Sequence, residues 1–262
     1  MASFGESRLR LRYSKSGRAK YISHLDLMAT MKRAFLRAGL ELKYSEGFNP
    51  HPYISVALPL SVGCSSICEL VDFDVLGAPP AAGISAFVNA ALPEGIEVLE
   101  AYRPSRKFGD IAWAELSGRL VYGAGAAISA AERLEGHFAA KALVVPKKTK
   151  RGTSDIDIAP FIRDISVSAA RGGGDDGDGG DGGGGDCADG AGGDVSGAAA
   201  RGGEAAVGEA VINLNLKVSA QDPSINHLML LNSLDVAGGA LRPDMALFTR
   251  VEVFDADMRV FR

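Results

Sequence analysis

A capped helix set between extended stretches is the feature that most limits what this chain can fold into. Ser23 followed by Asp26 forms a capping box, in which the serine hydroxyl takes a free N–H of the first turn and the carboxylate reaches back toward the serine N–H. His24, Leu27, Met28, Met31, Ala34, Phe35 and Ala38 then recur on one face, with Asp26, Thr30, Arg33 and Arg37 opposite. Gly39 closes the helix as a C′ residue. A helix with one apolar stripe needs a layer to cover it, and the flanking sequence offers strands. Arg8 to Tyr13 alternates Leu9, Leu11 and Tyr13 with Arg8, Arg10 and Arg12. Leu40 to Tyr44 reads as a short strand, and SEGFNPHP after it is too rich in Gly, Pro and Asn to be regular.

The order then continues. Tyr53 to Leu58 is a short extended piece, and Glu69 to Val75 alternates with Val71, Phe73 and Val75 inward. Pro79 to Leu92 is a helix with Ile84, Phe87, Val88 and Ala91 on its apolar face, and Gly95 to Tyr102 is a strand. This succession predicts a ferredoxin-like βαββαβ unit over residues 1–105. Trp113 to Tyr122, a helix over Ala126 to Ala140 with Ile128, Leu134 and Phe138 as core candidates, and a strand beginning at Ala142 to Val145 start the plan again. Ile156 to Val167, Val211 to Val218, a helix capped by Asp222 with Pro223 first, and Phe248 to Phe254 complete a second unit over 106–262. The expected fold class is α+β, two tandem ferredoxin-like units with antiparallel sheets. Ala169 to about Glu209 is almost wholly Gly, Asp, Ala and Ser, which predicts a disordered insert in a hairpin whose two strands pair across it.

The motifs of the first unit resemble a known family. Tyr-Ser-Lys-Ser-Gly at 13–17, Ser-His-Leu-Asp-Leu-Met at 23–28, Arg-Ala-Gly-Leu at 37–40 and Tyr-Ser-Glu-Gly-Phe-Asn-Pro-His-Pro at 44–52 are similar to the bacterial radical SAM-linked family. That family is a domain of unknown function, fused behind a radical S-adenosylmethionine enzyme or standing as a separate small protein. The resemblance implies a radical SAM enzyme as partner. Cys64 and Cys68 form C-x-x-x-C, but Leu70 and Val71 stand where a cluster needs its third cysteine, so any such centre lies on another chain. No cofactor or metal is expected here.

The net charge of −4 conceals an uneven distribution. Residues 1–60 hold ten Lys or Arg against four acids, while 171–210 hold two Arg against nine acids. Three cysteines make no disulfide framework, and no apolar run is long enough for a signal peptide or a span, so a cytoplasmic protein away from the membrane is expected.

Basic side chains interleaved with aromatics suit single-stranded RNA, charge for the backbone and flat faces for bases. The candidates are Lys15, Arg18 and Lys20 before the helix, Tyr44, Phe48, Asn49 and His51 after it, and Lys147, Lys148, Lys150 and Arg151 at a hairpin tip. A core role for Phe48 and a solvated turn of lysines are the competing readings. The strand arginines are either a phosphate platform or partners of Asp72 and Asp74 on the neighbouring strand. Asp157 is expected to cap a turn. His24, Asp26 and His51 form the one His/carboxylate set, but His24 and Asp26 point to different sides of a helix start. The functional expectation is an accessory, RNA-presenting protein. A metal-independent RNA-processing enzyme using His24 or His51 as general acid or base, and a protein scaffold, stand as alternatives.

Overall fold

The helix capped by Ser23 is α1 (His24–Arg37), and it packs on strands laid down on either side of it. The computed structural model describes residues 7–77, 79–123, 127–149, 152–169, 210–236 and 241–262. Of the insert expected to be disordered, residues 170–209 lie outside the described residues.

Strand β1 (Arg8–Lys15) pairs antiparallel with both β3 (Ser65–Asp74) and β4 (Ile96–Tyr102), and β2 (Ile54–Val56) adds to β3. Strand β5 (Trp113–Tyr122) lies between β9 (Ala210–Ser219) and β10 (Met245–Phe254), with β8 (Ile162–Ala169) on β9. These strands make one eight-stranded sheet in the order β4-β1-β3-β10-β5-β9-β8, with β2 off that path. The fold is therefore mixed α+β on a large, mostly antiparallel sheet. The expectation of a separate sheet in each half is corrected: β3 and β10 join in parallel at Ser65 with Thr249 and Ser66 with Arg250. Strands β6 (Val144–Thr149) and β7 (Gly152–Asp157) form a detached hairpin.

Alternation places the cores. Leu9, Leu11 and Tyr13 of β1 and Val71 and Phe73 of β3 meet Leu27, Met31 and Phe35 of α1 and Ile84 and Val88 of α2 (Ile84–Asn89). Phe35 stacks on Phe73 with ring centres 4.3 Å apart. A second core gathers β5, β9 and β10 with Leu134 and Phe138 of α3 (Ala127–Phe138) and Leu230 and Leu234 of α4 (His227–Val236), and it takes Cys64, Cys68 and Leu70 from the first half. No helix among the described residues is long and apolar enough to cross a membrane.

Four local expectations are corrected. Leu40 to Tyr44 is no strand: only Leu42 and Tyr44 bridge, to Val75 and Pro52, and β2 takes the place on β3. Phe87 is exposed, because α2 begins only at Ile84 and turns that side outward. Between Ile156 and Val167 the chain is two strands, since a turn at Ala159–Phe161 separates β7 from β8. The last helix starts at His227 with Asn226 as its cap, accepting from Met229 N–H at 3.0 Å, because an Ile225 N–H to Ser219 carbonyl bond closes the residues around Asp222 into a loop.

Candidate nucleic-acid interface

The loop after α1 is built to hold one aromatic ring in solvent. Its base is tied to the sheet, where Lys43 N–H donates to Asp74 O at 2.8 Å and Asp74 N–H to Tyr53 O at 3.0 Å. Above that, Ser45 and His51 close the loop. Ser45 N–H donates to His51 O at 2.9 Å, His51 N–H donates to Ser45 Oγ at 3.1 Å, and Ser45 Oγ lies 2.9 Å from His51 Nδ1. Gly47, at φ +118°, reverses the chain between them. Phe48 stands at the tip, fully exposed at 111% of its reference area, so a core role for it is overturned. A buried ring is the usual outcome for Phe, and Phe48, as wet in the folded chain as in the unfolded one, gains nothing from apolar burial.

Beside the loop lies a cavity of about 290 Å³, lined by Arg8, His51, Tyr53, Ser55, Lys107 and Phe108 among others. Its rings offer faces for stacking, and Lys107, exposed, offers charge. Lys32 Nζ lies 5.5 Å from the centre of the Tyr44 ring, and Asn49 is exposed beside Phe48.

The other cationic candidates lie elsewhere. Lys15 is a correction: it is only 1% exposed, with Nζ donating to Ile22 O at 3.3 Å, and burial lowers its pKa. The reason is that β1 runs on to residue 15, so period-two alternation carries Lys15 to the same buried side as Tyr13. Arg18 is exposed and Lys20 half-buried, but both follow the Lys15 end of β1, whereas the Phe48 loop adjoins the Arg8 end. An eight-residue strand separates them by roughly 23 Å. Lys147 is half-buried on the β6–β7 hairpin, the side chain of Lys148 is not described, and Lys150 and Arg151 lie outside the described residues. Asp157 holds that hairpin, its Oδ1 accepting from Leu143 N–H at 2.7 Å and Ala159 N–H at 3.1 Å.

The strand arginines are ion-pair partners. Arg10 forks onto Asp72 at 2.6 and 2.9 Å, and Arg8 onto Asp74 at 2.7 and 3.1 Å. The Asp74 carboxylate raises the Arg8 pKa further. Register explains it, since Arg8 faces Asp74 and Arg10 faces Asp72 across the strands.

His24 is exposed at the start of α1, and the Asp26 carboxylate accepts from the Ser23 hydroxyl at 2.8 Å rather than from its N–H. His51 lies in the loop after α1, held by Ser45, and no hydrogen bond or ring contact among the described residues joins it to His24. Among the described residues no three His, Cys, Asp or Glu side chains are grouped to hold a metal. Burial pushes the Cys64 thiol to about 11 and the Cys68 thiol to about 12, so neither is a ready thiolate at neutral pH.

A family model described as "Uncharacterized protein conserved in bacteria (DUF2344)" matches residues 8–178. The chain belongs to that family. The DUF2344 match spans the Phe48 loop, its cavity and the β6–β7 hairpin. Among solved structures, the chain is similar to an unknown protein from Galdieria sulphuraria at 10% identity and a TM-score of 0.24, covering 89% of this chain and 91% of that one. No curated protein matches. The sequence pointed to Tyr44, Phe48, Asn49 and His51 through their composition, but it carried no signal for Tyr53, Lys107 and Phe108. Those three converge on the cavity only through folding.

Proposed function

We propose that this DUF2344 chain is a non-catalytic accessory protein that binds single-stranded RNA at the Tyr44–Pro52 loop and the adjoining cavity. In this reading one base stacks on Phe48, a neighbouring base enters the cavity against Tyr53 and Phe108, and Lys43 and Lys107 meet phosphates. The observation that carries it is the fully exposed Phe48 ring on a loop pinned by Ser45 and His51. The presentation of that RNA to a separate radical SAM enzyme rests on the motif resemblance alone. We also read the strand orders β4-β1-β3-β2 and β10-β5-β9-β8 as one ferredoxin-like plan used twice, with the β6–β7 hairpin inserted into the second copy.

A short single-stranded RNA titrated over a range of salt tests the site. Affinity is expected to fall with a slope of about −0.7 per phosphate neutralised. Phe48→Ala should weaken binding by about 1 to 3 kcal/mol while leaving that slope almost unchanged, because stacking releases few counterions. Lys107→Ala should make the slope shallower. Lys15→Met should change neither, since Lys15 is buried. Failure of the wild type to bind RNA at low salt, or equal effects from all three variants, removes the RNA reading. The exposed ring would then serve a protein partner, as in the scaffold alternative.

A further inference from the structure

On the side where α4 begins, the seam between β3 and β10 opens into a cleft of about 450 Å³, remote from the Phe48 loop in its lining. Its walls are mixed, with Leu58, Leu60 and Leu116 beside Ser61, Gln221 and Asn226. Arg250 reaches it from β10. One guanidinium nitrogen, Nη1, donates to Leu58 O and to Glu69 Oε1, both at 2.9 Å. Nε is buried without an acceptor, and Nη2 makes no hydrogen bond among the described residues. Glu69 is itself buried, its Oε2 has no donor, and the Tyr13 hydroxyl across from it has no partner either. Lys15 acts on the same carboxylate, so one buried acid answers two cations.

The opposite wall is the start of α4. His227, 8% exposed, lines the cleft with its ring 5.4 Å from Phe248, and neither ring nitrogen is hydrogen-bonded among the described residues. Buried polar atoms are almost always satisfied, so the partnerless Arg250 Nε, with the His227 imidazole lining the same cleft, points to a ligand. The first turn of α4 adds N–H dipole. Asp222, exposed on the rim, is a nearby carboxylate that disfavours a polyanion.

The geometry points to this cleft as a binding site for a small organic monoanion with an apolar body. Its acid group is held by Arg250 Nη2 and the N-terminus of α4, His227 adds a hydrogen bond, and its body lies on the leucines. The site is distinct from the RNA interface and stands or falls without it.

Anilinonaphthalene sulfonate, a monoanion on an aromatic body, is the probe, titrated by fluorescence into the full chain. Saturable one-site binding is expected. Leu60→Trp, which fills the mouth, and His227→Phe, which keeps the ring volume but removes the nitrogens, should each weaken it at least tenfold with the melting temperature unchanged. Arg250→Met alone leaves Glu69 buried and unpaired, so it is made together with Glu69→Gln, and this pair should also weaken binding tenfold or more. Phe48→Ser, at the other site, should leave it unchanged. No saturable binding in the wild type, or affinity retained in Leu60→Trp and His227→Phe, overturns the proposal. Loss of binding in Phe48→Ser does so too, because the dye would then be reporting the exposed loop.

Discussion

Arg10 carries a charge with no exposed surface, forked onto Asp72 and sandwiched between the rings of Phe108 and Phe261, 4.4 and 5.2 Å from its guanidinium carbon. Removing one partner of such a pair strands the other charge in a dry site. Arg10→Met is therefore expected to lower stability by about 3 to 5 kcal/mol, and Arg10→Met with Asp72→Asn to recover most of it. Denaturant midpoints of the two variants check this, and equal losses would show that packing rather than charge is what Arg10 contributes. The histidines give a pH dependence. Burial lowers the pKa of His137, which lies 3.0 Å from Ser233 Oγ, and burial with the nearby Arg250 charge lowers that of His227. Depressed values mean that the unfolded chain binds these protons more readily than the folded one. Both residues contribute stability that is fully present above the ordinary value of 6.5 and is lost as pH falls from there through the folded values. Denaturation followed from pH 8 down to pH 5 should show that loss, flattened in a His137→Gln, His227→Gln double variant.

At the scale of elements, the β6–β7 hairpin is the piece least supported by the main sheet. It is paired only with itself, and it enters the second core through Leu143, Val145 and the following Ile158. Asp157 fastens its base by accepting two backbone N–H groups. Asp157→Ala leaves those donors without their carboxylate, at a cost of about 1 to 3 kcal/mol. Hydrogen exchange should then quicken from Leu143 to Ala159 while β5 and β9 stay protected. Uniform acceleration across the sheet would mean that the hairpin is part of the global folding unit. The Phe48 loop is held in the same local manner, by Ser45 in place of an aspartate.

Over the whole molecule, β8 and β9 pair in register up to Ala169 with Ile212, so the ends of the Gly/Asp-rich insert are already brought together by the sheet. Deleting Gly172 to Gly203 should leave cooperative unfolding and a melting temperature within a few degrees of the full chain, because closure entropy changes only slowly with loop length. A larger fall in a thermal melt would show that the insert contributes structure. That β8 and β9 pair across it was legible from alternation in Val211 to Val218, and α1 was legible from Ser23, Gly39 and the apolar stripe between them. Capping and periodicity are relations between residues a few positions apart, so they survive in the sequence read alone. The same alternation put Arg8 and Arg10 on the face of the strand aspartates once the strand order was assumed, but it left a phosphate platform open, and only the register decided for ion pairs. The partner of β3 in the other half was not legible, because Ser65, Ser66, Thr249 and Arg250 show no pattern that names one another. The candidate site was half legible for the same reason. Phe48 and His51 announced themselves by composition in one loop, whereas the burial of Lys15 turned on where β1 stopped, one period beyond the last apolar residue. The distance between the basic turn and the aromatic loop turned on the direction of a strand, and the convergence of Arg250 and His227 on the seam cleft turned on tertiary packing. By itself the sequence determined the local elements and their faces. Which ends and edges of those elements meet is a long-range choice made by burial of the sheet as a whole, and only the tertiary structure decided it.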